Sequence, residues 1–144
     1  MGNNRDNWPK RIIDSHLHIY DDEFPLIENQ GHIPEPFYID DYRNLTRGLP
    51  IEGGVIVSGS FQGFEQRYLK AALENLGDNF VGVTQLPGSV SDEKIQQLNE
   101  HRIRGVRVNL KRGVHRDIEG IVEFGKRIWD LAGWHLEIYV DSRE

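Results

Sequence analysis

The feature that most constrains this chain is an alternation of short β-branched runs with amphipathic stretches. The pairs recur about every 25 to 30 residues, the spacing of βαβ crossovers. Residues 11–19, 54–60, 80–86, 105–110 and 135–141 read as strands. Residues 39–47, 64–76, 92–101 and 117–132 read as helices, which gives the order β(αβ)4. The helix signals are local. In 64–76, Phe64, Tyr68, Leu69, Ala72, Leu73 and Leu76 share one face, and Gly77 supplies the stop. Ser91 is a suitable N-cap for 92–101, and Gly133 ends 117–132. Residues 20–38, rich in Asp, Glu, Pro and Gly, read as a loop longer than a connection requires, and so as a candidate functional loop.

Parallel strands joined by helices leave two architectures, an open doubly wound sheet or a closed barrel. No Gly-x-Gly-x-x-Gly turn follows the first strand and no P-loop is present, so a nucleotide-binding open sheet loses its main support. The expected fold is α/β: the N-terminal part, about five strands, of a (β/α)8 TIM barrel, a parallel sheet with flanking helices. Residues 1–10 read as a polar tail and 11–144 as the barrel portion. A whole barrel takes roughly 250 residues. The 144-residue chain is therefore expected to stop after strand five, with a self-sufficient five-stranded open sheet as the alternative. An unfinished barrel exposes strands one and five as edges, so self-association through them is expected.

Composition closes off other classes. The formal net charge is -6, against a nucleic-acid partner. There is no cysteine, hence no disulfide, thiolate ligand or thiol nucleophile. The polar start lacks the apolar core of a secretory signal, and apolar runs are far too short for a membrane span. The expected setting is cytoplasmic, with no membrane partner.

Strand periodicity then places the chemistry. In the first strand Asp14, His16 and His18 read as one face, with Ile13, Ser15, Leu17 and Ile19 on the other. Two imidazoles two residues apart can converge on a divalent metal, zinc being the natural choice, or on a substrate carbonyl polarised by two N–H donors. In the fourth strand Arg107 and Asn109 alternate with Val106, Val108 and Leu110. Arg107 then points into the barrel mouth, with Arg112 just after it. An inward guanidinium binds an anion or pairs internally, here with Glu137 or Asp141. The fifth strand turns His135, Glu137, Tyr139 and Asp141 inward. Tyr139, Ser60 at the end of strand two and Tyr38 on the long loop are further candidate substrate contacts.

The run Ile12-Ile13-Asp14-Ser15-His16-Leu17-His18 resembles the opening strand of the amidohydrolase superfamily, in its amidohydrolase-related branch of TIM-barrel metal-dependent hydrolases. Arg104-Gly105-Val106-Arg107-Val108-Asn109 and Gly133-Trp134-His135 with Ile138-Tyr139 are similar to the 2-pyrone-4,6-dicarboxylate lactonase group. The resemblance implies hydrolysis of a lactone or related bond in a carboxylate-bearing substrate. It implies that His16 and His18 polarise the scissile carbonyl, and that Arg107 and Arg112 hold substrate carboxylates. Tyr38, Ser60 and Tyr139 match polar contacts. It leaves the cofactor open, since most of the superfamily uses zinc or another divalent ion and the pyrone group works without one. The family's later histidine and its aspartate, the general base, have no counterpart, so this chain alone is expected to be inactive. A zinc-dependent decarboxylase of the same branch and a non-catalytic anion-binding half-barrel are the alternatives.

Overall fold

The computed structural model describes residues 9–110, 117–141 and 143. Its elements are β1 (Ile12–Leu17), α1 (Ile39–Leu45), β2 (Ile51–Val57), α2 (Arg67–Leu76), β3 (Phe80–Thr84), α3 (Asp92–Glu100), β4 (Ile103–Asn109), α4 (Ile118–Ala132) and β5 (His135–Tyr139). Every strand pairs in parallel with its sequence neighbour, giving the order β1-β2-β3-β4-β5 in one curled half-barrel, with β1 and β5 as its edges.

The helices cover one face. Ile56, Ile103 and Val106 from the sheet meet Leu69 and Leu73 of α2, Ile95 and Leu98 of α3 and Ile128 of α4, all essentially without solvent exposure. Each such side chain contributes about 1.5–3 kcal/mol by leaving water. Gly82 is what lets α2 close on the sheet, because a Cβ there would lie 2.6 Å from Ile103 Cδ1 and 3.1 Å from Leu69 Cδ2. Trp134, 1% exposed, seals the space beside α3 and donates its indole N–H to Asn99 Oδ1 at 2.9 Å. No helix among the described residues is long and apolar enough to cross a membrane.

Three local features depart from the periodic reading. Strand β2 starts at Ile51 and ends at Val57, so Ser60 lies beyond it, in a 3-10 turn of Ser60–Gln62. Gly63, at φ 51, breaks that turn from α2, which begins only at Arg67 and leaves Phe64 exposed. The third is a bulge in β1. Asp14 pairs with Gly54 but Leu17 with Ile56, so β1 spends one more residue than β2 over that interval. The bulge breaks the simple alternation of faces. Asp14 turns to the helix layer, where its Oδ2 accepts from the Tyr42 hydroxyl at 3.2 Å, and it does not share a face with His16 and His18. Ile13 is exposed rather than packed under helices.

Candidate active site

Beyond the bulge, alternation resumes and sends His16, His18 and Tyr20 to the concave side of the sheet. They line a cavity of about 420 Å³ with Gly59, Ser60 and Phe61 after β2, Arg107 and Asn109 on β4, and Glu137 and Tyr139 on β5. These residues sit at or just past the C-terminal ends of their strands, the end at which barrels assemble their sites. The two imidazoles meet edge to face with centroids 4.9 Å apart, and Tyr20 stacks on His18 at 5.7 Å. Phe61 continues this wall against Tyr20 at 6.0 Å and against His32 at 5.8 Å. The long loop is thereby tied to the cavity rim; the Ile27 N–H donates to the Phe61 carbonyl at 2.6 Å.

His18 has a defined tautomer. Its Nδ1 lies 2.7 Å from the Val57 carbonyl oxygen, which only accepts, so Nδ1 carries the proton. The neutral ring then presents a lone pair at Nε2 to the cavity. Burial lowers the His18 pKa from its ordinary value, against the opposing pull of the Val57 hydrogen bond. Neutral His18 therefore accepts a hydrogen bond or ligates a cation. It polarises a carbonyl as a second N–H donor only as the imidazolium that burial disfavours. The folded value lies below the unfolded 6.5, so the folded state binds this proton more weakly. The stability this gives is present above the unfolded value and is lost as pH falls through the folded one. Urea unfolding between about pH 7.5 and about pH 5.5 is expected to show wild type losing more stability than His18→Asn. Parallel profiles would refute the assignment.

Arg107 and Glu137 stand directly opposite each other on β4 and β5, with Nε and Oε1 3.1 Å apart. The approach is that of an ion pair without hydrogen-bond alignment, for the buried Arg107 Nε has no hydrogen-bond partner. One terminal nitrogen donates to the Ser58 carbonyl at 3.3 Å, and the guanidinium lies over the Tyr139 ring, 5.0 Å from its centroid. The internal pairing with Glu137 is thus present, while the arginine still lines the cavity.

The rim after β2 is held by glutamines that sequence reading passed over. Gln62, 2% exposed, accepts from the Gly59 N–H at 2.8 Å and donates to the Ile19 carbonyl at 2.6 Å, tying the end of β1 to the end of β2. Gln85 donates to the Gly59 carbonyl at 2.8 Å. A Cβ on Gly59 would lie 3.0 Å from Tyr20 Cε1, so glycine is what admits the tyrosine ring. Of the residues singled out from sequence, His16, His18, Ser60, Arg107 and Tyr139 come together in the cavity. Tyr38 is not among its lining residues. It caps α1, and its hydroxyl donates to Asp22 at 2.7 Å, which pushes its pKa up to about 12. Arg112 lies outside the described residues.

A profile of the amidohydrolase family matches residues 13–139, which takes in every strand and helix described above except the first residue of β1. The chain belongs to the amidohydrolase family. Among this amidohydrolase's relatives, the 2-pyrone-4,6-dicarboxylate hydrolase of Comamonas testosteroni is 30% identical over 138 residues, covering 93% of this chain and 45% of the relative. The 4-sulfomuconolactone hydrolase of Rhizobium radiobacter is 28% identical over 101 residues, covering 69% and 34%. A solved Pseudomonas putida structure, assigned as a 2-pyrone-4,6-dicarboxylic acid hydrolase, is 27% identical with a TM-score of 0.73 over 88% of this chain and 47% of that one. The chain thus spans less than half the length of the curated relatives it matches.

Family membership raises the question of a metal. His18 Nε2 has the right chemistry for a ligand, its other nitrogen being fixed by a backbone carbonyl. A catalytic zinc takes three protein ligands. Among the described residues no three His, Asp or Glu side chains gather to hold an ion. His16 and His18, at the end of β1 and just past it, therefore do not make a zinc site with the other described residues of this amidohydrolase.

Proposed function

We propose that this amidohydrolase serves the hydrolysis of a lactone or related bond in a carboxylate-bearing substrate of the 2-pyrone-4,6-dicarboxylate kind. The observation that carries the reading is the convergence of His16 and His18 with Arg107 in one concave cavity at the strand ends. Arg107 offers a cation to a ligand carboxylate. In this reading His16 and His18 meet the scissile ester group, with Ser60 and Tyr139 lining the same cavity. The names of two relatives, a pyrone-dicarboxylate hydrolase and a muconolactone hydrolase, support a lactone carrying acidic groups.

Water attack needs a base with a free lone pair. Among the described lining residues the one carboxylate, Glu137, is paired with Arg107, and burial lowers the basicity of the lone pair that neutral His18 presents. The chain by itself is therefore expected to bind the substrate and to turn it over negligibly. Calorimetry with 2-pyrone-4,6-dicarboxylate checks the first part, and loss of the ring's ultraviolet absorbance checks the second. Saturable binding supports the reading, and its absence would overturn it. Rapid ring opening by the chain alone would show that the base lies within these residues.

A further inference from the structure

Apart from the two imidazoles, the described lining of the cavity carries one cation and one anion, Arg107 and Glu137, and they face each other. Their formal charges cancel. A ligand carboxylate approaching Arg107 therefore approaches Glu137 as well.

The pair is also incomplete. Arg107 is 11% exposed, and its Nε–H is buried without a hydrogen bond although Glu137 Oε1 is 3.1 Å away. The two-pronged alignment that arginine makes with a carboxylate is missing. Glu137 is part-exposed, so its carboxylate can move toward solvent. Arg107 is held from other directions by the Ser58 carbonyl and the Tyr139 ring, and so does not depend on Glu137 for its place.

We propose that Glu137 is a specificity-determining residue that competes with the ligand for Arg107: a ligand carboxylate binds there only by displacing it. The inference rests on the reading of this cavity as a carboxylate site. It goes further in naming what the site discriminates. Each added negative charge on the ligand meets the displaced Glu137 carboxylate, so the site favours singly charged lactones over doubly charged ones more than Arg107 alone would.

The test is calorimetric titration of wild type, Glu137→Gln and Glu137→Ala with 2-pyrone-4,6-dicarboxylate and with 2-pyrone-6-carboxylate. Glutamine keeps the shape and removes the charge, and alanine removes both. Both variants are expected to bind the dicarboxylate about tenfold more tightly than wild type, with a smaller gain for the monocarboxylate. Unchanged or weaker binding in both variants, with wild type binding normally, would overturn the competition alone and make Glu137 a support for Arg107. Binding by none of the three proteins would overturn the carboxylate site together with it.

Discussion

Arg107→Met is expected to weaken binding of 2-pyrone-4,6-dicarboxylate by about a hundredfold, a loss of about 3 kcal/mol. Removing one partner of a desolvated charge pair costs more than the pair is worth, because the other partner is left without compensation. Arg107 is the one charged donor among the described lining residues outside the imidazoles, and it is well enough buried for its field on a ligand to escape solvent screening. Methionine keeps the apolar stem out to about the Nε position and gives up only the guanidinium that lies over the Tyr139 ring. The charge effect can then be separated from a folding effect. Glu137 loses its cation in this variant, but it is part-exposed and water takes over much of that role. The double variant Arg107→Met with Glu137→Gln is expected to regain whatever stability the single variant loses, and of the binding only the part lost to repulsion by Glu137. Calorimetry beside urea unfolding reads both quantities. Dicarboxylate affinity within about threefold of wild type would remove Arg107 from the binding machinery and the proposed function with it.

Legibility from sequence followed how local the determining signal is. The five strands and four helices were readable because each carries its own periodicity and stops, such as Gly77 after α2 and Gly133 after α4. On β4 and β5 simple alternation also gave the facing of side chains, since these two strands pair from Gly105↔His135 to Asn109↔Tyr139 without a register shift. On β1 it failed at Asp14. A bulge inserts one residue through backbone pairing with β2, and no residue in Asp14-Ser15-His16 marks that in sequence. Tyr38 was singled out for its place on the long loop, but where a hydroxyl on such a loop reaches depends on how the loop folds back. Here the Tyr20–Phe37 bridge and Asp22 decide it. The Arg107 alternatives of anion site or internal pair were both visible in the alternation. Only the geometry shows that they coexist, with the pair misaligned. Tyr20, Phe61 and Gln62 were missed for a common reason. Each sits in a connection outside the periodic runs, and each owes its role to partners 40 or so residues away.

Gln62→Leu is the variant expected to cost most in stability, about 2–4 kcal/mol. Gln62 looks in sequence like an ordinary polar loop residue, yet it is 2% exposed and both ends of its amide are engaged. Leucine fills nearly the same volume, so little cavity penalty arises. What changes is that the Gly59 N–H and the Ile19 carbonyl lose their partners in a place water does not reach. Each buried orphan costs about 1–3 kcal/mol. The consequence also runs to the site. Gly59 opens the turn that carries Ser60 and Phe61, and Ile19 lies between His18 and Tyr20, so the amide couples the two walls of the cavity. Releasing it should loosen the wall that stacks on His18 and weaken dicarboxylate binding beyond what reduced folding explains. Urea unfolding gives the global loss, and hydrogen exchange at the Gly59 amide gives the local one. Exchange there is expected to speed up more than global unfolding accounts for. A stability loss below about 0.5 kcal/mol would mean that the two backbone groups find other partners, and that the clamp between β1 and β2 does not depend on Gln62.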